Sequence, residues 1–291
     1  MRFSPTIANF GFDDRAWPRL QVIPVGETRT INYSSVRELV PRTSGKSFIQ
    51  VFPSCPTARS RGGALTVKGV ARGEDKIVWV RGGNFRDGVV GFRTLRFLVL
   101  EKVTLKVTFN CVTDTAEEGA EANKTRRPPG EVGEIVRKAN AILQPQMNLE
   151  LSEKATRPVT VDRPLGKQVS LDNDDTNGNI KAIKAKGDPS ADLNVFFLWD
   201  LVLGKSKQGQ DDVGLARATD PTVFIDDLAK STDDAALALA HETLHVYGAS
   251  HVASGEHLMA ESYVGGGKFI PSSVALHCHR LVRAQLGMLR S

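Results

Sequence analysis

Histidine is missing from the first 240 residues of this 291-residue chain, and all six histidines lie between His241 and His279. Cysteine is scarce too. Cys55, Cys111 and Cys278 are too few and too scattered for a disulfide framework, so no oxidising compartment follows from them. No apolar run approaches the ~20 residues that a membrane-spanning helix needs. Residues 1–20 contain Asp13, Asp14 and two prolines but no apolar signal-peptide core. The expectation is a secreted or exported protein without a recognisable signal peptide in this chain, with a cytoplasmic location left open. Aromatic residues make up only 7% of the chain and its arginines are dispersed, so there is no stacking platform and no nucleic-acid partner is expected.

What is present is concentrated in residues 241–251, His241-Glu242-Thr243-Leu244-His245-Val246-Tyr247-Gly248-Ala249-Ser250-His251. A shuffled chain of this composition would place these three histidines, Glu242 and Gly248 at this spacing with odds on the order of one in 100,000. Residues four apart share one face of an α-helix, so His241 and His245 can turn ring nitrogens toward one ion. Glu242 is turned away from that pair, but it can reach a water bound to the metal. Gly248 enters the left-handed conformation without a Cβ clash, which ends the helix and lets His251 return from outside it. Three neutral imidazoles leave a fourth tetrahedral position for water, as in a catalytic rather than a structural zinc site. Zinc lowers the pKa of such a water to about 7, and Glu242 can take its proton as it attacks a carbonyl. Ser231, Thr232, Asp233 and Asp234 supply the cap and the negative charge that open the helix, and the alanine-rich run 235–240 extends it.

Residues 241–251 match HExxHxxGxxH, and in this the chain resembles the metzincin zinc metallopeptidases. The resemblance is specific over residues 241–259 and implies a comparable architecture over about 130–291. It implies His241, His245 and His251 as ligands of one Zn2+, Glu242 as general base, and Met259 in His257-Leu258-Met259-Ala260 as the apolar floor of the site. It also implies that Gly214, Leu215 and Ala216 form a sheet edge that binds extended substrate by main-chain hydrogen bonds. Where some members carry a tyrosine two residues after the methionine, this chain has Glu261, and the nearest tyrosine, Tyr263, is the candidate transition-state stabiliser. Glu261 raises a rival third ligand, and the break at Gly248 favours His251. His257 is close enough in sequence to line the cleft.

Around this centre the chain divides. Residues 1–113 alternate in the manner of short strands, clearest where Val103, Leu105, Val107, Phe109 and Cys111 interleave with Thr104, Lys106, Thr108 and Asn110. Regular strands between Gly, Pro and Ser turns predict an all-β, immunoglobulin-like sandwich. Residues 114–130 are polar, aperiodic and proline-terminated, and read as a linker. Residues 131–291 read as a mixed α+β, α-β-α domain. A helix there, with Val132, Ile135, Val136, Ala139, Ile142 and Leu143 on one face, is expected to stop at Pro145. Strands follow at 148–151, 194–199, 214–218 and 222–225. A last helix opens at Pro271, with Val274, Cys278, Leu281 and Val282 on its apolar side.

Residues 1–113 hold 18 Lys and Arg against 8 Asp and Glu, a net of +10, whereas residues 114–291 carry −5. The basic part could meet an anionic surface partner or act as a docking domain for a delivered effector. Asn173 to Ile180 resembles the start of a Ca2+ loop, but it opens on Asn and has Lys184 where a bidentate Glu would close the shell, so a surface turn is the better reading. The residues around Cys55 do not match the latency motif of the family, and a plain thiol is expected there. The expected whole is a zinc endopeptidase acting on protein or peptide substrates. The rival reading is an adhesin or binding module with a non-catalytic zinc site. Neither says anything about oligomeric state.

Overall fold

The computed structural model describes residues 2–5, 11–16, 18–34, 39–43, 49–52, 62–81, 93–116, 121–171, 177–202, 213–252, 256–260 and 267–288. It is a mixed α/β protein, mostly β, with several sheets and four α-helices among the described residues. None of those helices is long and apolar enough to cross a membrane. Two compact units divide the chain. The first comprises Met1–Val103, Leu143–Asn148 and Phe269–Leu276, and the second Thr104–Ile142, Leu149–Lys268 and His277–Ser291.

The first unit is built on nine strands: β1 (Arg2–Pro5), β2 (Phe12–Asp13), β3 (Leu20–Pro24), β4 (Thr28–Ser34), β5 (Leu39–Thr43), β6 (Ile49–Phe52), β7 (Gly62–Gly69), β8 (Gly73–Arg81) and β9 (Arg93–Leu100). One sheet runs β1-β4-β7-β6 and is antiparallel throughout. The other runs β2-β3-β9-β8-β5, with β3 and β9 parallel. Both sheets contribute to one core, Ile31, Leu65 and Val67 from the first and Ile77, Leu95 and Phe97 from the second. Burying each such side chain contributes roughly 1.5–3 kcal/mol, and alternation along the strand aims every second residue at that core. In β9 the intervening Leu98 and Leu100 are buried as well, because they pack with Leu20, Val22 and Leu276 on the opposite face.

The second unit has β10 (Val103–Thr113), β11 (Leu149–Thr160), β13 (Leu193–Leu198), β15 (Gly214–Ala216) and β16 (Thr222–Asp226) in one sheet of order β11-β10-β13-β16-β15. A two-stranded parallel pair, β12 (Val169–Ser170) and β14 (Leu201–Val202), accompanies it. The helices of the chain are α1 (Val132–Met147), α2 (Asn179–Lys184), α3 (Thr232–Val246) and α4 (Ser272–Gln285), of which α1 from Leu143 and α4 up to Leu276 are counted in the first unit. β10, β13 and β16 are mutually parallel, and β15 closes the edge antiparallel to β16. Parallel strands covered on both faces read as continuous apolar runs. Accordingly Val195, Phe196, Phe197 and Leu198 are all fully buried, with Phe196 stacked on Phe224 and Phe197 on Phe109.

Four expectations are corrected. Val103–Thr113 does not end the N-terminal sandwich. It is an inner strand of the second unit's five-stranded sheet, in register with β13 from Val107 to Cys111, which is why its alternation of buried and exposed residues stops at Thr108 and gives way to full burial. Residues 114–130, where described, are pinned rather than loose. The Asp114 carboxylate accepts from the backbone N–H of Asn123 and Leu165, Asp227 accepts from Thr125 and Arg126, and buried Arg127 donates to the Ala229 carbonyl over the Phe197 ring. Helix α1 does not stop at Pro145 but carries it in its last turn. Proline sacrifices one intrahelical bond there. The turn is closed three residues later by Asn148, at φ 53°, whose N–H donates to the Gln144 carbonyl. On α4, Ala275, Cys278 and Val282 are buried, but Leu281 is exposed.

Candidate metal centre

Helix α3 starts as its sequence predicts. The Ser231 hydroxyl accepts from the Asp234 backbone N–H at 3.1 Å, and the Asp234 carboxylate accepts from the Ser231 N–H at 3.2 Å, a reciprocal capping box. The other end is set by Gly248 at φ +80°. Its N–H donates to the His245 carbonyl, and the Ala249 N–H donates to the Leu244 carbonyl, the pair of bonds of a Schellman turn. A Cβ on Gly248 would also lie 3.1 Å from both His277 Nε2 and Leu281 Cδ1 of α4.

That turn brings three imidazoles together. His241 Nε2 lies 2.9 Å from His245 Nε2 and 3.2 Å from His251 Nε2, and the His245–His251 separation is 3.0 Å. His241 is buried, His245 half-buried and His251 exposed, so the cluster sits at the surface with one open side. The outer nitrogens fix the tautomers. His241 Nδ1 lies 2.6 Å from the Leu258 carbonyl and His245 Nδ1 lies 2.8 Å from the Ala249 carbonyl. A carbonyl only accepts, so each Nδ1 carries the proton and each Nε2 is left with a bare lone pair. Burial holds both rings below the ordinary histidine pKa, His241 at about 4, which keeps them neutral near pH 7. Neutral lone pairs converging at this range repel unless a cation lies among them. Tetrahedral zinc with bonds of ~2.0–2.1 Å sets its nitrogen ligands ~3.3–3.4 Å apart, close to the spacing here. The donor set therefore fits a metal ion.

The rest of the neighbourhood follows. Glu242 is buried on α3 beside His241. Gly214, Leu215 and Ala216 form β15, paired to Ile225, Phe224 and Val223 on one side, with no strand on the other among the described residues. Met259 is fully buried, its carbonyl accepts from the Val252 N–H, and Val252 bridges to Ala260. This ties the His251 segment to the Met259 segment. His257 is half-buried just before them. Cys278 of α4 is buried, its thiol pushed up to about 12 by that burial, with Sγ 3.8 Å from the Leu244 carbonyl.

Glu261, Tyr263 and Cys55 lie outside the described residues, as do residues 172–176 of the Ca2+-like segment. Of that segment's remainder, Asn177 Oδ1 accepts from the Asn179 N–H, and Lys184 pairs with Asp220. The sequence reading missed the two carbonyls, of Leu258 and Ala249, that hold the rings. A backbone carbonyl has no side-chain signature, and only the Gly248 turn hinted at one of them.

No protein-family model matches this chain, and no curated protein matches it. Among solved structures, 27% of the chain is similar to 91% of SSP-19, an MSP-domain protein like family member in Caenorhabditis elegans, at 14% identity and TM-score 0.21. A further likeness pairs 28% of the chain with 87% of amebosin at 22% identity and TM-score 0.19. At those TM-scores neither likeness bears on fold or function.

Proposed function

We propose that this chain is a zinc-dependent endopeptidase of metzincin type, joined to an immunoglobulin-like N-terminal sandwich. The observation that carries the reading is the convergence of the Nε2 atoms of His241, His245 and His251, with the buried Glu242 next to His241 on α3. His241, His245 and His251 would hold the ion, and three imidazoles suit zinc well. A divalent ion held there supplies Lewis acidity, acidifying water and polarising a carbonyl.

The chain's own residues do the remaining work. An extended peptide lies along the side of β15 that no described strand pairs, as an added strand with its main chain bonded to that of Gly214–Ala216. The Glu242 carboxylate takes the proton of the attacking water and returns it to the leaving amine nitrogen. The Leu258 and Ala249 carbonyls keep Nδ1 of His241 and His245 protonated and the rings in place.

The test is metal stoichiometry together with digestion of a broad peptide library. One zinc per chain with cleavage of extended peptides is the expected result. Glu242→Ala should keep the metal and the fold while cleavage falls by ~10²–10⁴-fold. Undiminished cleavage by that variant would refute the mechanism. Stoichiometric zinc in a parent protein that cleaves nothing would turn the reading toward a binding module.

A further inference from the structure

Glycine at position 214 is not demanded by backbone conformation, because Gly214 is absent from the positive-φ glycines that include Gly248 and Gly178. It is demanded by space. A Cβ built on Gly214 would stand 2.8 Å from Glu242 Cγ, 3.1 Å from Cδ and 3.0 Å from Oε1. Carbon atoms do not approach that closely, so something would have to shift. Relief is not a matter of swinging a free tip aside, since the nearest atom is mid-chain and Glu242 is buried. Gly214 itself is held in register opposite Ile225. Whichever of the two yields, the carboxylate changes its position relative to the edge strand.

We infer that Gly214 is a positioning residue: the missing side chain at the start of β15 is what lets the Glu242 carboxylate stand against the edge strand. This deepens the peptidase reading and rests on it for its catalytic consequence. Gly214 carries no metal ligand and touches none in this contact, so its substitution acts on Glu242 and leaves the three histidines alone. A misplacement on the order of 1 Å of a reacting group is worth ~10²-fold in rate.

The experiment combines kinetics with a double-substitution cycle on the full chain. With zinc-loaded protein and quenched fluorescent casein as the probe, Gly214→Ala is expected to lower kcat by ~10²-fold, leave KM within about twofold, and retain one zinc per chain. Gly133→Ala, on α1 where an added Cβ meets nothing within 4 Å, makes the same chemical change and should leave kcat unaltered. In thermal melts of the metal-free protein, Gly214→Ala should lower Tm by about 3–6 °C, as overpacking does. The same change in a Glu242→Ala background should leave Tm unchanged or raise it, because the obstructing side chain is gone. An unchanged kcat in Gly214→Ala would overturn the inference. So would a Tm loss of equal size in both backgrounds, which would place the obstruction elsewhere. If the parent cleaves no casein, the peptidase reading fails on its own, and the melting cycle still decides whether Gly214 makes room for Glu242.

Discussion

Removing the metal should expose a specific acid sensitivity, and its sign can be worked from His241. In the folded chain burial holds this ring at about 4, whereas the unfolded chain leaves it at the ordinary 6.5. The fold therefore prefers the neutral ring. Above pH 6.5 both states are neutral and stability does not depend on this group. As pH falls through 6.5 the unfolded chain takes up a proton that the folded chain refuses until about 4, so stability is lost across that window and is flat again below it. The gap from 6.5 to about 4, at about 1.4 kcal/mol per pH unit, makes a loss of about 3 kcal/mol. For a unit of this size that corresponds to a fall of about 6–12 °C in Tm. His245, also lowered by burial, acts in the same direction.

A second group opposes it. Asp226 is fully buried, and desolvation raises its carboxyl to about 6 from 3.8, despite backbone N–H bonds from Leu228 and Leu201. Its folded pKa lies above the unfolded one, so its stabilising effect is complete below 3.8 and is lost as pH rises through 6. Over pH 4–6 the two contributions nearly cancel, and a raw melting curve against pH would mislead. The informative quantity is the difference between the parent and His241→Asn, whose amide can still donate to the Leu258 carbonyl. In the metal-free protein the Tm difference should move by several degrees in the variant's favour between pH 7 and pH 4.5. With saturating zinc the parent's His241 contribution should be suppressed, since the bound ion blocks protonation until it is released. A metal-free difference curve flat to within about 1 °C would refute the reasoning that burial holds these imidazoles neutral.

Further outcomes are expected at single positions. Gly248→Ala forces φ +80° on a residue with a Cβ and should lower stability by about 1–2 kcal/mol in urea unfolding, with Gly248→Asn losing less. Ser231→Ala removes the hydroxyl half of the α3 capping box and should lower stability by about 1 kcal/mol without changing zinc stoichiometry. The Tyr247 hydroxyl is buried and makes no hydrogen bond among the described residues, so Tyr247→Phe should be neutral or stabilise by up to about 1 kcal/mol. Cys111 and Cys278 are buried with raised thiol pKa values, so neither should be carbamidomethylated by iodoacetamide at pH 7.5 until the chain unfolds, as peptide mapping would read.

Local pattern was legible where one element alone decides the outcome. The strand at Val103–Thr113 lies where alternation put it, because a half-buried strand writes its pleat into its sequence. Pairing was not legible. Val103 to Cys111 alternates just as a sandwich strand does, and only its partner β13, more than 80 residues later, assigns it to the second unit's sheet. β11 extends to Thr160, well beyond its apolar start at Leu149 and Leu151, through residues that are mostly half-buried or exposed. Such residues carry no alternation to read. The two-residue strands β12 and β14 are too short to leave any period.

The metal centre divides along a similar line. The convergence of His241, His245 and His251 was readable because side chains that share one centre leave residue identity at fixed spacing, and the helix that spaces the first two begins at Ser231 with its own cap. Their protonation was not readable, because it is set by main-chain carbonyls that any residue provides. Ala249 links the two kinds of information. Its N–H completes the Schellman turn that Gly248 permits, and its carbonyl accepts the hydrogen bond of His245 Nδ1–H. The glycine that ends the helix thus also fixes which nitrogen of His245 faces His241 and His251. A substitution that keeps every histidine but disturbs this turn should weaken metal binding together with helix stability, by the 10–100-fold typical of lost outer hydrogen bonds. Competition with a zinc chelator on Gly248→Ala measures that coupling, and metal affinity equal to the parent's would show that the turn and the ring orientation are independent.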